Sequence, residues 1–120
     1  MRRYVFPSIL LGTALLAPFA AFAADPVGRY TIEGAGPNNG AAYTGTVEVS
    51  RTGDTFRVTW LIDGQRYVGT AIGNNQNLAV AYRSGNETGL AVYGENGSNW
   101  TGTYAYAGGS QLGTERWTRQ

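Results

Sequence analysis

The sequence predicts an all-β domain, an eight-stranded antiparallel up-and-down barrel, and three observations carry that expectation. Turn signals recur at intervals of about 10 to 14 residues, the spacing of small sandwiches and barrels. The segments between them alternate polar and apolar residues with period two and are rich in Val, Thr, Tyr and Trp, as half-buried strands are. No stretch after residue 24 carries an apolar stripe at helical spacing, and 18 glycines in 120 residues discourage one. Seven turns separate eight segments, and short hairpins in unbroken succession favour a meander that closes on itself, because closure removes the sheet edges that invite aggregation. Periodicity alone leaves a two-sheet β-sandwich as the alternative.

The chain opens with a segment of a different kind. Arg2 and Arg3 precede an apolar run from Ile9 to Phe22, and Ala21-Phe22-Ala23 supplies a small-x-small cleavage site, so residues 1–23 read as a secretory signal peptide. The run is shorter than the roughly 20 apolar residues a spanning helix needs. The expected mature domain is 24–120, with no membrane span, in the periplasm or secreted. Removing Arg2 and Arg3 leaves seven Arg against eight acids, a net charge of −1.

Within that domain the first segment places Tyr30 and Ile32 opposite Glu33 and ends at Pro37-Asn38-Asn39-Gly40. The second sets Tyr43, Gly45, Val47 and Val49 against Thr44, Thr46, Glu48 and Ser50, and ends at Thr52-Gly53-Asp54. The third sets Phe56, Val58, Trp60 and Ile62 against Arg57 and Thr59, up to Asp63-Gly64. The fourth carries Tyr67 and Gly69 and runs to Asn74-Asn75-Gln76-Asn77. The fifth reaches Tyr82 before Ser84-Gly85-Asn86, and the sixth carries Tyr93 before Asn96-Gly97-Ser98. The seventh sets Trp100, Gly102, Tyr104 and Tyr106 against Thr101, Thr103 and Ala105, ending at Ala107-Gly108-Gly109-Ser110. In the eighth, Glu115 shares its parity with Trp117 and Arg119. Each turn offers residues that tolerate positive φ, as tight hairpins require.

An aromatic-x-Gly-Thr tetrad occurs three times, at Tyr43, Tyr67 and Trp100. The ring and the glycine share a face, and a glycine on an inner face leaves room for a neighbouring ring or for tight curvature. The rings expected inside or near a mouth are Tyr30, Tyr43, Trp60, Tyr67, Tyr82, Trp100 and Tyr104. The candidate ligand-binding residues among them are Tyr43, Trp60, Tyr67, Tyr82, Trp100 and Tyr104.

Composition removes most chemistry. The chain has no Cys, no His and no Lys, which excludes disulfides, thiolate nucleophiles, Ser-His and Cys-His arrangements and the commonest metal ligands. Asp54, Asp63, Glu87 and Glu95 sit in or beside turns, and Glu33 and Glu48 face outward by parity. Glu115 is expected to form an ion pair at the closing strand. No carboxylate pair faces across a cleft as glycoside hydrolysis requires. The expectation is therefore a protein that is not an enzyme, with no metal site and no cofactor. The Arg residues are dispersed among acids, with no basic groove for nucleic acid.

Two resemblances add to this reading. The stretch Trp100-Thr101-Gly102-Thr103-Tyr104, followed by Thr114-Glu115-Arg116-Trp117-Thr118, resembles the Trp-x-Gly-x-Tyr and Thr-x-Trp-x-x-Thr hairpin of the avidin family. Those are exported eight-stranded barrels that bind biotin, and lipocalins use similar aromatic-glycine strands. Trp100 alone falls on one of that family's biotin-stacking aromatics, and no stretch matches the family's next strand, whose acid reads the ureido ring. The whole mature chain is also similar to a group of short bacterial secreted proteins of mostly unknown function, some loosely labelled fibronectin-binding. Their pattern is met by stretches beginning at Gly28, Tyr43, Val58, Tyr67, Leu78, Gly89, Trp100 and Gly113. Together these imply an exported, non-catalytic β-barrel binding module with an aromatic-lined pocket for a small ligand. The alternative is a surface, adhesin-like protein that engages an extracellular partner, as fibronectin-binding proteins do, through its outer face or loops.

Overall fold

In the computed structural model, which describes residues 25–38 and 40–120, period two in the sequence becomes period two in burial. The expected signal peptide 1–23, Ala24 and Asn39 of the first turn lie outside the described residues. Phe56, Val58 and Trp60 point inward while Arg57 and Leu61 point out, and Gly113, Glu115 and Trp117 alternate in the same way with Thr114, Arg116 and Thr118. Eight strands result: β1 (Gly28–Ala35), β2 (Ala42–Thr52), β3 (Thr55–Ile62), β4 (Gln65–Gly73), β5 (Asn77–Ser84), β6 (Glu87–Asn96), β7 (Asn99–Tyr106) and β8 (Gly113–Arg119). Each pairs antiparallel with the next, and β8 returns to β1, with Ile32 opposite Trp117 and Gly34 opposite Glu115. The barrel is closed, and the two-sheet sandwich is thereby set aside. No helix among the described residues is long and apolar enough to cross a membrane.

The turns are those the sequence marks. Gly53, Gly64, Gly85 and Gly97 all have positive φ at hairpin tips, and Asp63 joins Gly64 in the left-handed region, the combination that a two-residue turn between twisted strands demands. Asn74 closes its own turn, its Oδ1 accepting from the backbone N–H groups of Gln76 (2.8 Å) and Asn77 (3.1 Å). Glu33 and Glu48 face outward as expected and form surface ion pairs with Arg116 and Arg29.

The two ends of the barrel differ. One end is capped by the segment before β1. Pro26 is fully buried there, its carbonyl accepting from the Tyr30 hydroxyl at 2.6 Å. Arg119 ties this cap together: its guanidinium donates to the carbonyls of Asp25 (2.8 Å), Val27 (3.0 Å) and Ser98 (3.1 Å) and lies 4.8 Å over the Tyr30 ring. The other end carries the β1–β2, β3–β4, β5–β6 and β7–β8 connections and has no such cap among the described residues. An eight-stranded barrel is just wide enough to be filled by side chains or to hold one small ligand. This one is filled by side chains at the capped end and leaves a cavity at the other.

The glycines explain how so many rings fit. A Cβ on Gly34 would strike the Tyr43 ring; on Gly89, Tyr82; on Gly102, Tyr93; and on Gly113, Tyr104. In each case the ring belongs to the residue directly opposite on the neighbouring strand. The sequence pairs ring and glycine along one strand, whereas in the barrel the working pairs run across strands.

Candidate functional site

The open half of the barrel holds a cavity of about 210 Å³ whose wall is mainly tyrosine. β2 contributes Tyr43, β3 contributes Trp60 and Ile62, β4 Tyr67 and β5 Tyr82. Tyr93 comes from β6, Tyr104 and Tyr106 from β7, and Glu115 from β8, with Gly36 and Asp63 at the turns. Inward parity places each ring, and the cross-strand glycines let the rings lie against the wall.

Glu115 organises the floor. Its side chain is buried, the residue being only 6% exposed, and both oxygens are engaged. Oε1 accepts from the indole N–H groups of Trp117 (2.8 Å) and Trp60 (3.0 Å) and from the hydroxyl of Tyr93 (2.8 Å). Oε2 accepts from the hydroxyl of Tyr43 at 2.6 Å, and the Tyr104 hydroxyl lies 3.2 Å beyond that of Tyr43. Donors from β2, β3, β6 and β8 thus converge on one carboxylate. Burying a carboxylate is costly unless its lone pairs are satisfied, and hydrogen bonds to charged groups are the strong ones. The expected ion pair for Glu115 is accordingly corrected. The side chain points into the barrel, where no Arg of the described residues reaches it, and its partners are four neutral donors.

The rings pack around this centre, most of them edge to face and the Tyr93–Trp117 pair tilted. Tyr93 lies over Trp117 with centroids 4.3 Å apart, Trp60 meets Tyr82 at 5.8 Å, and Tyr82 meets Tyr106 at 6.3 Å. Such pairs are favourable beyond the area they bury. Burial, reinforced by the Glu115 charge, holds the phenols of Tyr43 and Tyr93 well above the ordinary tyrosine range. Burial also raises Tyr82, helped by the neighbouring Tyr106 and Tyr104. These hydroxyls remain protonated donors at neutral pH, suited to orienting a ligand.

Five of the six sequence-predicted site residues, Tyr43, Trp60, Tyr67, Tyr82 and Tyr104, line this cavity. Trp100 does not. It is 1% exposed, opposite Glu95 and Trp117 beside the Gly97-Ser98 turn, at the capped end of the barrel. Its parity matches that of Tyr104, but it stands four residues lower on β7, about 13 Å at the rise of a strand. Sequence reasoning left Tyr93, Tyr106 and Glu115 out of the site, although Tyr106 shares parity with Tyr104 and Glu115 with Trp117.

No family model matches the chain, and no curated protein matches it. Solved structures do, two redesigned barrels among them. One is a redesigned beta barrel, b11L5F_LGL, with a TM-score of 0.63 at 17% identity, covering 78% of this chain and 90% of that one. Another is the redesigned beta barrel mFAP1, bound to DFHBI, with a TM-score of 0.63 at 14% identity, covering 78% of this chain and 94% of that one. The likeness is one of fold.

Proposed function

We propose that this protein is a non-catalytic binding module that takes one small ligand into the open half of its barrel. The observation that carries this is the cavity itself, about 210 Å³, at the uncapped end and lined by polar-tipped rings around a fixed carboxylate. Binding sites are concave, largely apolar and furnished with a few convergent polar groups. A cavity of roughly 150 Å³ accommodates benzene, so this one has room for a single substituted ring. The mFAP1 barrel, solved with DFHBI, supports the same use of the fold here. Glu115 already receives four hydrogen bonds, which favours a positioning role over proton transfer and supports the non-enzymatic reading. The signal-peptide pattern of residues 1–23 supports export, so the ligand would be met in the periplasm or outside the cell. This agrees with the resemblance to short bacterial secreted proteins.

The test is a screen of the protein against small aromatics, sugars, biotin and DFHBI, followed by tryptophan emission and melting temperature. Trp60 is the tryptophan that lines the cavity, so a ligand should quench emission in the unaltered protein and much less in Trp60→Phe, while raising the melting temperature of both. A screen in which no compound moves either signal counts against the pocket. Belief would then pass to the alternative, an adhesin-like surface. The observation that favours that alternative is an exposed apolar strip on the outer wall, where Ile72, Leu90 and Val92 stand 62%, 68% and 58% exposed.

A further inference from the structure

We infer that the ligand is a small organic cation, a protonated amine or quaternary ammonium attached to an apolar body; this rests on the pocket reading above. The cavity wall holds one buried carboxylate and no cationic side chain, with a second carboxylate, Asp63, at the rim. The chain has no Lys or His. The arginines lie elsewhere: Arg29 and Arg116 pair with acids on the outer surface, Arg119 is committed to the capped end, and Arg66 and Arg83, the chain neighbours of Tyr67 and Tyr82, are on the exposed outer face of their strands. The Glu115 charge is therefore hydrogen-bonded by neutral donors without being neutralised by an opposite charge.

Two further features point the same way. The first is the acceptor capacity of Glu115. A carboxylate offers about four lone-pair sites. Three donors crowd Oε1, but only Tyr43 reaches Oε2, on the side of the Tyr43 and Tyr104 hydroxyls that line the cavity. An ammonium N–H entering the cavity finds an acceptor there. The second is the wall. The faces of Tyr and Trp rings carry negative quadrupole density and attract cations within about 6 Å, most strongly where water is excluded. Tyr67, Tyr82, Tyr104 and Tyr106 with Trp60 surround the space above Glu115. An anion in the same place meets like charge, and a neutral ring meets only packing.

Phenethylamine, 2-phenylethanol and phenylacetate share one skeleton and differ in charge, so calorimetry of the three on the full chain isolates the term. Phenethylamine should bind at least tenfold more tightly than 2-phenylethanol, and phenylacetate should bind most weakly. In the nitrogen–proton spectrum the indole signals of Trp60 and Trp117, both donors to Glu115, should shift with phenethylamine, while that of Trp100 stays in place. Glu115→Gln should bring the amine-to-alcohol ratio towards one without weakening the alcohol. Should that variant fail to fold, the ratio and the indole shifts in the unaltered protein decide alone. Equal binding of amine and alcohol, or tighter binding of phenylacetate, overturns the cation inference and leaves the pocket standing. Binding of none of the three overturns both.

Discussion

Replacing Glu115 by leucine tests whether the buried carboxylate holds the fold together or is tolerated for the sake of a ligand. Leucine fills a similar volume but accepts nothing. Three buried donors then lose their acceptor: the indole N–H groups of Trp117 and Trp60 and the hydroxyl of Tyr93, residues 0%, 4% and 3% exposed. The half-buried Tyr43 hydroxyl can turn to solvent and is not counted. An unsatisfied buried donor costs about 1–3 kcal/mol, so three cost about 3–9. Against this stands the desolvation of the carboxylate, several kcal/mol, which leucine avoids. The strong donor set on Oε1 tips the balance, and Glu115→Leu should destabilise by about 2 kcal/mol, the middle of the first range less the second. Glu115→Gln keeps an acceptor at the Oε1 position and exchanges charged for neutral hydrogen bonds, for a loss of about 1–2 kcal/mol. Urea unfolding followed by tryptophan emission and circular dichroism measures both. A double-mutant cycle adds a check on mechanism: Trp60→Phe should cost less in the Glu115→Leu background than alone, since its N–H is already orphaned there. A leucine variant as stable as the parent would refute the reasoning. It would mean that desolvation outweighs the network, and that the carboxylate serves the pocket at the expense of the fold.

Other perturbations test the packing and the ionisation. Gly102→Ala should cost about 1–3 kcal/mol in urea unfolding, because its Cβ would strike the Val92 carbonyl and the Tyr93 ring, which is tethered to Glu115; Gly94→Ala on the facing strand meets nothing within 4 Å and should be nearly neutral. Trp100→Ala should cost about 3–5 kcal/mol as a core truncation and leave ligand affinity in the surviving folded fraction unchanged, whereas loss of affinity would return Trp100 to the site. Burial, reinforced by the Glu115 charge, holds the Tyr93 phenol well above the ordinary tyrosine value of about 10, so its contribution to stability is complete below pH 10 and is lost as the pH rises beyond it, when the unfolded chain gives up the proton and the barrel does not. Unfolding free energy should thus fall above pH 10, by about 1.4 kcal/mol per pH unit for this ring alone, and tyrosinate absorbance should appear together with unfolding rather than before it.

How far the sequence revealed this site depends on what each residue's signal contains. Parity along a strand says which face a side chain takes, and for that reason the closed barrel and five of the six chosen rings were legible. Parity says nothing about height, and height separates the two ends of this molecule. Trp100 and Tyr104 are indistinguishable by face, yet one is packed beneath the floor and the other stands at the cavity. Glu115 shows the same limit from the other side. Its inward parity with Trp117 was readable, but an inward acid is explicable only once its partners are known, and these come from strands as distant in sequence as β2, β3 and β6. Which of their residues reach one height is set by the stagger of the closed barrel, a property of all eight pairings at once. The glycine tetrads were informative for a related reason. A glycine records that something large lies beside it, and the register determines that the ring is across the strand. The capped end then gives these facts their functional sense. Arg119 and Pro26 close one mouth, the tyrosines crowd towards the other, and Glu115 sits where the filled half meets the open one. Among the described residues the cavity lies at the uncapped end, and the carboxylate lies at its floor.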